Sequence, residues 1–125
     1  PTRRSSDLPD NRKYSERLRT LFIGEDSNCH VNNFLWAYNV DTGQLARILS
    51  CPTAAESTGL QAVDDVNGFA YIMSNFQHPG DWVKPLHDKV KASVAPLIDR
   101  NYRSRRSAAV GYIHGLPQMI SDVRG

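Results

Sequence analysis

Phe34, Trp36, Tyr38 and Val40 occupy every second position of one short run, which stops at Asp41-Thr42-Gly43 and resumes as Gln44–Ser50. A period of two is the repeat of a β-strand, whose successive side chains point to opposite faces. A glycine free to take positive φ lets such a strand turn back on itself. The middle of the chain therefore reads as a hairpin, and its surroundings repeat the theme. Upstream, Pro9-Asp10-Asn11 is turn chemistry. It is followed by a weak strand at Arg12–Ser15, a charged turn at Glu16–Arg19, and a stronger strand at Thr20–Gly24 that ends in Glu25-Asp26. A polar loop, SNCHVNN at 27–33, leads into the hairpin, and Cys51-Pro52 breaks the pairing after it.

The pattern then starts again. Gly59–Val63 predicts a strand, Asp64–Gly68 a turn ending in Asn-Gly, and Phe69–Asn75 a second strand. Set side by side, PDN, strand, turn, TLFIGED is echoed by AES, strand, turn, FAYIMSN. A four-stranded antiparallel unit recurring at roughly 40–50 residues is the pattern of a β-propeller blade. A β-sandwich meander writes similar strands. The expected fold is all-β, a propeller fragment of one to two blades with a short C-terminal helix. That helix is expected at Leu86–Ala95, where Leu86, Val90 and Val94 keep helical spacing until Pro96, a residue that breaks or kinks helices. RNYRSRRS at 100–107 reads as a basic loop and Ala108–Ile113 as a closing strand.

PTRRSSDL at 1–8 reads as one frame of a sequencing adapter, to be set aside like any fusion remnant. The chain then divides into blades at 9–84 and a helix, loop and closing segment at 85–125. A net charge of +2 with 22% charged residues is ordinary globular composition. The arginine clusters lack an aromatic platform or reader motif, so nucleic acid is not expected as a partner. No apolar run reaches the roughly 20 residues of a membrane span.

Carboxylates at strand ends carry the candidate chemistry. Asp10 precedes one predicted inner strand and Glu56 the next, while Glu25 and Asp26 end another. Oxygen donors brought from successive blades suit a hard cation such as Ca²⁺. Neighbours in a strand alternate, so one of Glu25 and Asp26 at most faces inward. The plainer readings are a turn cap for Asp10 and Asn11 and a solvated loop carboxylate for Glu56. His30, His78, His87 and His114 show no HExxH spacing, which disfavours zinc. Among them only His78 stands in the polar tip SNFQHPGD at 74–81 that ends the last apolar run, the kind of cluster a β-scaffold uses to aim ligands into a site, and a bond to its own turn is the plainer role. Cys29 and Cys51 form no CxxC motif, and they can bridge only in an oxidising compartment. Ser57 lacks a GxSxG elbow.

GED at 24–26, HVNN at 30–33, LWAYNVDTG at 35–43, AESTG at 55–59, YIMSNFQHPGDW at 71–82 and AAVGYIHG at 108–115 together resemble the C-terminal part of the PhoX-type alkaline phosphatases. The resemblance implies a six-bladed propeller, periplasmic or secreted, that hydrolyses phosphomonoesters at a cluster of Ca²⁺ and Fe³⁺ in its channel. Upstream blades would complete it. Glu56 matches the glutamate of the family's E-x-T-G motif and is expected to bind metal. Asp10 sits where many members have Pro-Asp, and Asp26 and Glu25 are further candidate ligands. Gln77 and His78 match the Q-H-P-G turn and are expected at the substrate. The family's arginine-proline-glutamate segment and cysteine ligand lie upstream, so this segment alone is expected to be inactive. Two alternatives stay open, a noncatalytic binding propeller and a calcium-dependent lactonase-like hydrolase.

Overall fold

The computed structural model describes residues 11–102 and 107–117. The 1–8 stretch, Asp10 and part of the basic loop lie outside that range. Seven strands and one helix follow one another within it: β1 (Asn11–Ser15), β2 (Thr20–Gly24), β3 (Phe34–Asn39), β4 (Leu45–Ser50), β5 (Glu56–Val66), β6 (Phe69–Gln77), α1 (Asp88–Asn101) and β7 (Ala109–Pro117). They form two antiparallel sheets, one four-stranded in the order β1-β2-β3-β4 and one three-stranded in the order β5-β6-β7. The fold is thus mostly β. No helix among the described residues is long and apolar enough to cross a membrane.

Local chemistry explains the turns. Between β3 and β4 the Asn39 side chain accepts hydrogen bonds from Asp41 N (3.0 Å) and Thr42 N (2.9 Å). This is the local side-chain bonding that makes Asn a turn former. Between β5 and β6 the turn is the two residues Asn67 and Gly68, both at positive φ (52° and 85°). Two such residues match the right-handed twist of the flanking strands, so β5 runs on to Val66, further toward the tip than the predicted Asp64–Gly68 loop allows, while β6 starts at Phe69 as expected. Arg19 joins the first turn to the β3–β4 turn through Asp41 at 3.0 Å. Being exposed, the pair adds little stability.

The sheets meet along β5. Phe22, Leu35 and Ile72 form the buried core, with Leu18, Ala37, Ile48, Leu60, Ala62 and Ile113 packed against it. The buried positions of β2 and β6 alternate, as one covered face of a strand requires. In β3 the face covered by the core carries Leu35 and not the aromatic residues. Phe34 and Trp36 lie on the opposite side, where the Arg47 guanidinium stands 4.7 Å and 5.2 Å from their ring centres.

The helix departs from expectation. It spans Asp88–Asn101 with Pro96 inside it. Proline removes one backbone bond and crowds the preceding turn. Pro96 and Ala92 are both exposed, so the carbonyl left over can turn to water, while Ile98 is 4% exposed and anchors the last turns. The helix begins at His87, whose Nδ1 accepts from Val83 N (2.9 Å) and whose Nε2 donates to Val31 O (2.9 Å). That bond ties the helix to the loop between β2 and β3.

Cys29 and Cys51 are both free thiols, the first exposed and the second buried. Burial pushes the Cys51 thiol up to about 11, overriding the lowering bond from Ser57. At pH 8 its thiolate fraction is then on the order of 10⁻³. Iodoacetamide on the native protein should therefore give one adduct, at Cys29, with Cys51 labelled only after unfolding. Equal labelling of both in the native state would contradict this placement.

Candidate functional site

At one end of the sheets the β2–β3 loop, the start of β5 and the turn after β6 enclose a polar cleft of about 180 Å³. Three motifs far apart in sequence reach it. Asp26 comes from the end of GED, Glu56 from AESTG and His78 from QHPG, and His30 and Asp81 join them. Gln77 is the register partner of Glu56 across β5 and β6. Asp10 falls outside the described residues.

Each motif has a local reason for its shape. Gly59 takes φ +59° where the β5–β6 register shifts between Thr58 and Gln61. A bulge with a left-handed residue needs glycine, which accounts for the last letter of E-S-T-G. In QHPG, His78 itself sits at φ +58°, Pro79 is fully buried, and Gly80 N donates to Thr53 O at 3.0 Å. A non-glycine residue at positive φ is uncommon. Here the buried proline and the bond to Thr53 hold the turn, while His78 is exposed at the cleft.

Behind the cleft lies Glu25, 8% exposed. Its Oε1 accepts from Ser27 Oγ (2.6 Å) and His30 Nδ1 (2.5 Å), and its Oε2 accepts from Trp36 Nε1 (2.9 Å) and Phe34 N (3.1 Å). Burial by itself would raise this carboxyl. The bonds from Ser27, His30, Trp36 and the Phe34 N–H outweigh it and hold Glu25 below the usual carboxylate range. The expectation that Glu25 binds metal is accordingly revised: both oxygens are engaged by protein donors, and the residue is the hub that shapes the 25–34 loop. Its neighbour Asp26 is the member of the pair that lines the cleft.

Asn33 completes the frame. Its side chain donates to Ala55 O (2.9 Å) and accepts from Ser27 N (3.1 Å), which fastens the loop to the residue before Glu56. His87 is 4% exposed and spends both ring nitrogens on backbone groups, a structural role.

Asp26, Glu56 and Asp81 offer the oxygen chemistry that hard cations take. Among the described residues, however, no group of three His, Cys, Asp or Glu side chains is able to hold a metal ion. Any centre built on this cleft needs ligands beyond them. His30 and Asp81 were not singled out by sequence reasoning. The usable signal for His30 was a histidine five residues after a strand-end carboxylate, in a loop that returns antiparallel. Compared with protein-family models, curated proteins and solved structures, the chain matches none.

Proposed function

We propose that this chain supplies part of the active-site cleft of a metal-dependent phosphomonoester hydrolase, a periplasmic or secreted β-propeller whose upstream blades complete the site. The observation that carries the reading is the meeting of Asp26, Glu56 and His78, from three separate motifs, in one polar cleft. In this reading the meander β1-β2-β3-β4 is one blade, and β5-β6-β7 is most of the next. Asp26 and Glu56 contribute oxygen ligands to Ca²⁺ and Fe³⁺ held jointly with residues outside the described chain. Bound cations supply charge neutralisation at the phosphoryl oxygens. His78 and Gln77, at the end of β6, orient the substrate, with the QHPG turn kept rigid by buried Pro79.

Hydrolysis of 4-nitrophenyl phosphate by the full-length protein is expected to stop on chelation and return with added Ca²⁺. Glu56→Gln is expected to lower kcat about 10–100-fold and to reduce the metal content measured by mass spectrometry. Chelator-resistant hydrolysis, or Glu56→Gln with unchanged metal and rate, would overturn the assignment. A protein that binds phosphate yet turns nothing over would be the noncatalytic propeller.

A further inference from the structure

Glu25 does more than brace a loop, because of what it does to His30. The carboxylate is held by Ser27, Trp36 and the Phe34 N–H, so it cannot turn, and its remaining direction is given to His30 Nδ1. An ionised carboxylate only accepts, so Nδ1 carries the hydrogen and Nε2 the lone pair. The ring is further packed edge-on against Phe34, centre to centre 5.6 Å, and lies 6.2 Å from Trp36. Its side chain stays 40% exposed and lines the cleft. A carboxylate that fixes the tautomer of a half-exposed imidazole lining a cleft is the arrangement that makes histidine a base.

We infer that His30 is the general base of this cleft and takes a proton from the water that attacks a bound phosphomonoester, an inference that rests on the hydrolase reading above. Glu25 is its positioning residue. The attacking water forms the new O–P bond and passes one proton to Nε2. The ester P–O bond breaks with its electron pair going to the leaving oxygen, which takes a proton from solvent on the opposite side of phosphorus, and Nε2 gives its proton back to solvent. One phosphomonoester and one water thus become one alcohol and one phosphate, with His30 restored. Glu25 stays ionised throughout and steadies the imidazolium that forms in between.

The test uses the full-length protein and 4-nitrophenyl phosphate. His30→Ala is expected to lower kcat about 10²–10⁴-fold, the range for loss of a general base, with a smaller change in KM. Added imidazole should restore at least about tenfold of that loss. A purely structural histidine would give a loss that imidazole does not repair, and that result overturns the proposal, as does a variant as fast as wild type. Should His30→Ala fail to fold, ¹⁵N spectra of the wild-type ring decide the matter. The Nδ1–H tautomer with an unprotonated Nε2 is expected, and the Nε2–H tautomer would refute the base role. A wild-type protein inert toward 4-nitrophenyl phosphate would overturn the phosphatase reading and the base role together. An active one with an undamaged His30→Ala variant would overturn the base role alone.

Discussion

Glu25→Gln is expected to cost roughly 2–4 kcal/mol of stability, seen as a lowered urea midpoint, because four donors converge on this one carboxylate. A neutral amide offers one acceptor oxygen and turns its NH₂ group toward donors that have nowhere else to go. The loss should depend on pH. The folded carboxyl sits below its ordinary range, so in acid the unfolded chain binds a proton that the folded chain does not. The stabilisation is then fully present above the ordinary glutamate value of about 4.3 and erodes as pH falls through the depressed folded value. In Glu25→Gln this component of the acid slope should disappear. A variant within about 0.5 kcal/mol of wild type at pH 7, the scatter of ordinary surface substitutions, would show that the hub carries no such weight.

Gly24→Ala is the second large effect. A methyl group at Gly24 would stand 2.8 Å from Ser57 O and 3.0 Å from Ser57 Oγ. Ser57 cannot step aside easily. It is fully buried, its N–H donates to Glu25 O at 3.0 Å, and its hydroxyl meets Ser74 Oγ at 3.1 Å. The two sheets touch backbone to backbone at this point, and only hydrogen fits between them. Overpacking of this kind costs about 1–3 kcal/mol, and valine should cost more. Exchange of the Ser57 amide hydrogen should accelerate as the Glu25–Ser57 bond opens. Gly111→Ala is the control, since its added carbon would lie 3.7 Å from Ser74 O, an ordinary contact. It should stay within about 0.5 kcal/mol. If Gly24→Ala behaves like Gly111→Ala, the sheets are not wedged at that point.

Much of the candidate site was legible before any coordinates. Asp26, Glu56 and His78 were each marked by a strand end or a turn motif, and they reach one cleft. His30 was passed over because its meaning comes from Glu25. That pairing is made by the return of the 25–34 loop onto β3 and not by any spacing known to bind. Glu25 and Asp26 show the same limit from the other side. Alternation says that two neighbours face opposite ways, but it does not say which of them meets the donors and which meets the cleft.

The sequence by itself determined the succession of strands and tight turns, but not the full length of β5 or β7. The period of two, the Asp-Thr-Gly turn and the Asn-Gly turn are local signals, set by steric preferences within a few residues. Only the tertiary structure decided which face of β3 is covered, that α1 runs through Pro96, and that four protein donors converge on Glu25. Each of these depends on what lies opposite: the core against Leu35, water against Pro96, and Trp36, His30 and Ser27 around Glu25. Contacts between distant segments cost chain entropy that no local preference records. They become readable only once the two sheets are packed together.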